Sequence, residues 1–201
     1  TKIKNLISKL SNAESRVFIS GPTGSGKELV ARQIHKNSKR SRKPFIIVNG
    51  ALLDPERYEI ELFGRENPDG IISYGFFEKA KDGTLLIDEI SEIPLETQAK
   101  LLRVLIDQKF KRVNGSKEIN VNVRIISTSS KNIREEIDKG NFREDLYHRL
   151  NVVPIFIPAL RDRLEDIPLL LNYFSKKIAE LNGMNQTKLD TNLDLFYKYK
   201  W

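Results

Sequence analysis

The segment GPTGSGK at 21–27 has the residue types and spacing best suited to chemistry in this chain. Its three glycines let the backbone take positive φ angles and approach an anion closely. The N–H groups of such a loop, followed by a helix N-terminus, favour a phosphate group. The spacing GxxxxGK is complete, and its lysine is placed to reach the β- and γ-phosphates of a nucleotide. The segment consists of Gly21, Pro22, Thr23, Gly24, Ser25, Gly26 and Lys27.

Two elements must position this loop, a strand before it and a helix after it. The apolar run 17–19 predicts the strand, and apolar residues recur at helical spacing over 29–34. Strand, glycine loop and helix follow each other in this order around a phosphate site. The alternative is a glycine-rich turn that opens a helix and binds nothing. Glu28 follows the lysine, where a Ser or Thr that contacts Mg²⁺ is usual.

A second apolar strand, at 84–87, ends in the acids Asp88 and Glu89. Asp88 is a suitable Mg²⁺ anchor, usually through water, and the more so because Glu28 supplies no hydroxyl. Glu89 is placed to polarise the water that attacks the γ-phosphate. Alone, this pattern also fits a helix start with acids near its positive end. After a complete phosphate loop, it predicts the second half of a nucleotide site.

The order of predicted elements indicates an α/β fold. Strands alternate with helices up to position 157, which predicts a mostly parallel sheet with helices on both faces. Pro154 favours an edge position for the last strand. The polar segment 65–75 is predicted to be a loop, and 110–113 and 118–121 to form a hairpin. The strands are predicted at 16–20, 45–49, 84–87, 123–127 and 152–157, and two later helices at 164–181 and 189–199.

Composition restricts the function classes further. The chain of 201 residues has no cysteine, which excludes disulfides and thiolate metal sites. No apolar run is long enough to span a bilayer, and the first residues do not form a signal peptide, so we expect a cytoplasmic protein without a membrane partner. The net charge is +7, but the densest basic run, 36–43, has no aromatic residue. A solvated helix-to-strand loop is favoured there over a nucleic-acid site.

From about residue 15 to its end, the chain resembles the central AAA+ ATPase domain of NtrC-type, sigma-54-dependent transcription activators. This resemblance implies a AAA+ P-loop NTPase fold, with an α/β nucleotide-binding subdomain at 1–160 and the start of a helical lid at 161–201. It also implies ATP and Mg²⁺ as ligands and a nucleotide-dependent ring of six or seven copies. Glu28 is usual in this family. The resembling segments are GPTGSGKELVARQIH (21–35), FIIVNGALL (45–53), ELFG (61–64), GTLLIDEI (83–90), QAKLLRVL (98–105) and FREDLYHRLNVVPIFIPALRDRLEDIPLL (142–170).

The resemblance implies roles for four more residues. Asn49 matches the asparagine that holds the catalytic glutamate, here Glu89, away from water; alternatively, it is a turn residue at a strand end. Arg143 and Arg149 match the arginine fingers that reach the nucleotide of a neighbouring subunit, and a planar guanidinium suits phosphoryl charge. The alternative for Arg149 is an ion pair with Asp145, one helical turn earlier. The sensor position holds Ser130, where Asn or His is usual, so a contact with phosphate would run through water.

One segment departs from the family pattern. The activators carry the sequence GAFTGA, which contacts sigma-54, after ELFG; the segment 65–75 is shorter and lacks it. In this respect the chain is similar to the NtrX branch, which argues against sigma-54 and RNA polymerase as partners. The end at Trp201, before the lid arginine of the family, predicts a piece of a longer regulator. DNA and a sensor kinase would then be bound by domains absent from this chain.

The predicted function is that of an ATP-hydrolysing oligomerisation domain of a two-component transcription regulator. The alternative is a nucleotide-gated oligomerisation module that hydrolyses little ATP and acts without remodelling sigma-54. The short segment 65–75, Ser130 and the missing lid arginine favour the alternative. The pair Asp88 and Glu89 and both arginines favour the ATPase.

Overall fold

The computed structural model describes residues 2–11, 13–184 and 193–199. The chain divides into two compact units, Thr1–Ile157 and Pro158–Trp201. The first unit holds the strands and contains both predicted halves of the nucleotide site. Its strands are β1 (Val17–Ser20), β2 (Phe45–Asn49), β3 (Arg65–Glu66), β4 (Ile72–Ser73), β5 (Thr84–Asp88), β6 (Lys109–Lys111), β7 (Glu118–Asn120), β8 (Arg124–Ser129) and β9 (Val153–Phe156).

Five of these strands form one sheet in the order β2-β5-β8-β1-β9. All neighbouring strands in it run parallel, so their carboxyl ends lie at the same edge. The predicted parallel sheet is therefore confirmed. β9 contains Pro154 and lies at the edge of the sheet, as predicted, because proline cannot donate a ladder hydrogen bond. The carboxyl edge brings the ends of β5, β8 and β1 side by side.

Helices cover both faces of this sheet. Val17 and Ile19 of β1 belong to one buried cluster together with Ala31 and Ile34, whereas Phe18 between them belongs to the other. This alternation follows from the two-residue period of a strand. The helices of the first unit are α1 (Lys2–Ser11), α2 (Lys27–Lys36), α3 (Tyr58–Phe63), α4 (Phe76–Lys79), α5 (Leu95–Asp107), α6 (Ile133–Asp138) and α7 (Glu144–Leu150).

Two predictions for the first unit need correction. The segment 65–75 is not only a loop, because β3 and β4 pair within it as a short antiparallel hairpin. The strand predicted at 123–127 continues to Ser129 as β8, which is buried along its whole length. The predicted hairpin at 110–121 is confirmed by the antiparallel pairing of β6 with β7.

The second unit contains α8 (Ile167–Leu181) and α9 (Leu193–Lys198), which contact each other. These helices match the two predicted helical patterns, although 189–192 of the second pattern lies outside the described residues. The division between Ile157 and Pro158 falls close to the predicted domain boundary. The interpretation of this unit as the start of a lid stays a prediction. Within the described part of the chain, no helix combines the length and apolar character needed to cross a membrane.

Candidate nucleotide site

The glycine loop joins the end of β1 to the start of α2. Gly24 and Gly26 have φ angles of 77° and 96°, a left-handed conformation that disfavours any other residue. Among the residues that the structure describes, no acceptor is assigned to the backbone N–H groups of Gly24, Gly26 and Lys27. Donors without a protein partner at a helix N-terminus fit a phosphate group.

The ammonium group of Lys27 lies against this loop and is almost fully buried. Its Nζ atom donates to the carbonyl oxygens of Gly21 at 3.0 Å and Pro22 at 3.3 Å. The same atom is 3.2 Å from Oε1 of Glu89, and the two side chains are 6% and 15% exposed. The fold therefore brings together the loop lysine and the acid predicted at the end of β5.

Asp88 is held by two side chains from neighbouring strands. Its Oδ1 accepts from the Thr128 hydroxyl at 2.6 Å, and its Oδ2 accepts from Nδ2 of Asn49 at 3.1 Å. Thr128 is also the acceptor for the backbone N–H of Glu89, at 3.1 Å. Sequence reasoning missed Thr128; the signal that could have found it is the run of hydroxyl residues at the end of a buried strand.

The Glu89 carboxylate is bound on both oxygens. Its Oε2 accepts from the backbone N–H and from the hydroxyl of Ser130, each at 2.8 Å, while Oε1 faces Lys27. Burial raises the pKa of Glu89, but the hydrogen bonds from Ser130 and Lys27, with the Lys27 charge, outweigh it, so the pKa lies below its ordinary value. Glu89 is therefore an anion in this arrangement, as a general base requires.

The contacts of Asn49 differ from those that the resemblance implies. Its amide donates to Asp88, and its Oδ1 accepts from the backbone N–H of Ala51 at 2.9 Å. No hydrogen bond between Asn49 and Glu89 is assigned in the described residues. The turn alternative fits the second of these contacts, since Asn49 caps the short helical turn Gly50–Leu52. Ser130 makes the contact with Glu89 that was predicted for Asn49.

The donor set agrees with a Mg²⁺ ion that keeps most of its water. No group of three or more His, Cys, Asp or Glu side chains suited to a metal occurs in 2–11, 13–184 and 193–199. The Asp88 carboxylate, oriented by two donors, fits an ion that is otherwise bound by water and phosphate. The exposed side chain of Glu28 faces Arg32, from whose Nε its Oε1 accepts at 2.7 Å, and its assignment to the nucleotide site stays a prediction.

The two predicted arginine fingers have different surroundings. Arg143 makes a two-point ion pair with Asp145, with distances of 3.0 Å and 2.7 Å. Arg149 is exposed, and within the described residues no hydrogen bond or ion pair is assigned to it. The alternative in which Arg149 pairs with Asp145 is therefore wrong in this structure. Burial and, next, the charge of Arg149 lower the pKa of Arg16.

The chain matches known proteins along its length. The model of the sigma-54 interaction domain matches residues 1–156. The nitrogen assimilation regulatory protein NtrX of Azorhizobium caulinodans is 46% identical over 189 residues, which are 94% of this chain and 42% of that protein. The crystal structure of Brucella abortus NtrX in complex with ATP has a TM-score of 0.94 and 46% identity, and covers 100% of this chain and 44% of that chain.

A solved structure with much lower sequence identity shares the fold. The P-loop NTPase domain of an E. coli sigma-54 activator has a TM-score of 0.54 at 19% identity over 79% of this chain. The parallel sheet and loop geometry thus form a P-loop NTPase fold. The chain spans less than half the length of the two NtrX proteins. The match over residues 1–156 shows that this chain belongs to the sigma-54 interaction domain family of AAA+ proteins.

Proposed function

We propose that this chain binds ATP with Mg²⁺ and hydrolyses it to ADP and phosphate, as the ATPase module of a bacterial two-component transcription regulator. The observation that carries the proposal is the 3.2 Å approach of the loop lysine Lys27 to Glu89, beside loop N–H groups that have no assigned acceptor. Crystal structures of Brucella abortus NtrX in complex with ATP and with ADP support it.

Each side chain has a definite task in this proposal. Lys27 and the loop N–H groups bind the phosphates, and Asp88 holds Mg²⁺ through water. Mg²⁺, when bound, neutralises charge on the phosphate oxygens. Glu89 orients the attacking water and takes up its proton, for which its anionic state is suited. Thr128 and Asn49 fix the rotamer of Asp88.

Arg149 is proposed to act on the nucleotide of a neighbouring copy. The backbone N–H of Val153, four residues after Arg149, donates to the carbonyl of Arg16 before β1, whereas the phosphate loop follows the other end of β1. The four residues of β1 separate these ends by roughly 13 Å. A guanidinium that is exposed and has no assigned partner among the described residues is suited to an anion from another subunit.

We expect Arg149→Ala to lower the turnover number about 1,000-fold. ATP affinity should stay within twofold of the original, because the arginine stabilises charge that develops in the transition state and not the bound ATP. Mixing this variant with Lys27→Ala should restore part of the activity. In the mixture, one variant supplies the arginine and the other an intact loop. Phosphate release is the measurement, and the exposed Arg134→Ala is the matched control.

The dependence of turnover on protein concentration tests the proposal itself. A site completed in trans predicts that the specific rate of phosphate release rises with chain concentration and then levels off. No phosphate release at any concentration, despite ATP binding, would leave only the nucleotide-gated oligomerisation module. The ion pair between Arg143 and Asp145 favours that module, because it occupies one of the two predicted fingers.

We also propose that the module regulates transcription without remodelling sigma-54. The segment 65–75 lacks GAFTGA and folds as the hairpin of β3 and β4. In a pull-down with a transition-state analogue of ATP hydrolysis, sigma-54 should not be retained by the chain. Retention that is lost on replacement of the exposed Tyr74 would contradict this. We also propose that DNA and a sensor kinase are bound by other domains of the full-length regulator. Such a regulator would act in the bacterial cytoplasm, where its DNA lies.

A further inference from the structure

We propose that Gln98 of α5 positions the arginine-bearing helix α7 for action on the nucleotide of a neighbouring copy, an inference that rests on the proposed ATPase function. The Gln98 side chain is fully buried. Its Oε1 accepts from the backbone N–H of Arg143 at 2.9 Å. Its Nε2 donates to the carbonyl oxygens of Ile93 at 2.7 Å and Asn141 at 3.0 Å. Both N–H donors of the amide are thus used, and the reverse orientation would set a donor against a donor.

One end of this arrangement is the segment that carries the proposed general base. The short helical turn Ile90–Glu92 directly follows Glu89, the residue after β5. The Ile93 N–H donates to the carbonyl of Ile90 at 3.2 Å, which binds Ile93 to this turn. The carbonyl that receives the first N–H of Gln98 is therefore fixed relative to the carboxyl edge of the sheet.

The other end is the start of α7. Arg143 is the N-cap residue of this helix, and its side chain, paired with Asp145, makes no capping hydrogen bond. Gln98 instead binds the backbone on both sides of residue 142, at the carbonyl of Asn141 and the N–H of Arg143. Asn141 is held further by Glu136 of α6, whose Oε2 accepts from its Nδ2 at 3.0 Å. One side chain of α5 thus ties the start of α7 to the segment after β5.

Hydrophobic packing alone does not fix the position of α7. Leu146 and Leu150 are fully buried in the core and determine which face of the helix points inward. Apolar contacts are non-directional, so they fix the rotation and axial position of a helix of about two turns only weakly. Hydrogen bonds are directional, and those of Gln98 set the place of the first residue. Arg149 lies six residues further along the same short helix, so it moves when the helix start moves.

Gln98→Met tests this role, because it keeps the length of the side chain and removes the three hydrogen bonds. The turnover number should fall by about 100-fold, the loss expected when a catalytic group is displaced by about 1 Å. The dissociation constant for labelled ATP should stay the same, because among the described residues no contact of Gln98 with the phosphate loop is assigned. Val104→Ala is the matched control. It removes buried atoms from α5 without touching these hydrogen bonds, so it should lower thermal stability and keep the turnover number.

Mixing of variants shows on which side of the subunit boundary Gln98 acts. Lys27→Ala lacks the loop lysine but keeps its arginines, so it should supply α7 to the intact nucleotide site of Gln98→Met and restore part of the phosphate release. Arg149→Ala should restore none, because every pairing of these two variants has an arginine that is either absent or displaced. Thermal unfolding is measured for each variant, and Gln98→Leu takes the place of Gln98→Met if the latter is not folded.

Each contrary result has a separate meaning. Restoration by Arg149→Ala and not by Lys27→Ala would place the defect in the nucleotide site of the same copy; it would overturn the inference and keep the proposed function. Restoration by neither variant would show general damage to the fold, and unchanged turnover in folded Gln98→Met would show that α7 needs no such positioning; both would overturn the inference alone. Absence of turnover in the original chain would overturn the proposed function and this inference together.

Discussion

Lys27→Ala is expected to weaken ATP binding by about 100-fold or more and to abolish measurable turnover. Among the described residues, the Lys27 ammonium is the one side-chain cation that donates to the loop carbonyls. Its Nζ atom lies 3.0 Å from the carbonyl oxygen of Gly21 and 3.3 Å from that of Pro22. Its removal deletes a charge-assisted bond to phosphate, which contributes roughly 1.5–3 kcal/mol. It also leaves the Glu89 anion without its cation, so that a second negative charge faces the phosphates.

Titration with labelled ATP measures this effect directly. Lys36→Ala is the matched control, because it removes the same charge from the exposed end of the same helix, α2. Its affinity for ATP should equal that of the original chain. Because Lys27 is buried, the folded state of the variant is checked by thermal unfolding. Unchanged affinity in a folded Lys27→Ala variant would show that the loop does not bind ATP.

The sheet and the loop could be predicted because their signals are local. Gly24 and Gly26 can adopt left-handed φ angles because glycine has no side chain, so the residue type alone indicates the turn. The continuous apolar run of β5 likewise indicates a strand that is buried on both faces. The resemblance of six segments to one family added the prediction of a AAA+ P-loop NTPase fold. These signals gave the parallel sheet, the edge position of β9 and the approach of the loop to the end of β5.

The partners of the acidic residues could not be predicted, because they depend on the register between strands. Ile87 of β5 lies level with Ser127 of β8, so the next residues, Asp88 and Thr128, lie side by side. The predicted strand ended at 127, one residue too early to place Thr128 there. A shift of one residue moves every side chain of a strand to the other face. In the register of β2 with β5, Asn49 lies level with Asp88, which places its amide beside Asp88.

Close approach of two backbones was also outside the reach of sequence reasoning. A Cβ atom on Gly50 would lie 2.5 Å from the carbonyl oxygen of Glu89. Gly50 follows Asn49 directly, so the absence of a side chain there lets the end of β2 approach the end of β5. No local pattern distinguishes this glycine from one in an ordinary turn.

Glu89→Gln is expected to lower the turnover number by about 100-fold to 10,000-fold, the usual contribution of a general base. Glutamine has nearly the same shape as glutamate and can still accept from Ser130, so the backbone and the loop should keep their positions. What the variant loses is the negative charge that draws a proton from water. ATP affinity should be equal or higher, because Lys27 is no longer neutralised by the carboxylate 3.2 Å away.

Comparison of the ATP affinity and the turnover number of Glu89→Gln therefore distinguishes a general base from an acid that only orients its neighbours. Glu92→Gln is the matched control, since Glu92 pairs with Lys131 at 2.8 Å and lies three residues further along the same segment. It should change neither quantity by more than about twofold, as is usual for an ion pair near the surface. If Glu89→Gln lost ATP affinity in parallel with turnover, Glu89 would serve to orient Lys27. If it kept full turnover, another group would have to accept the proton, and among the described residues Asp88 is the acid next to it.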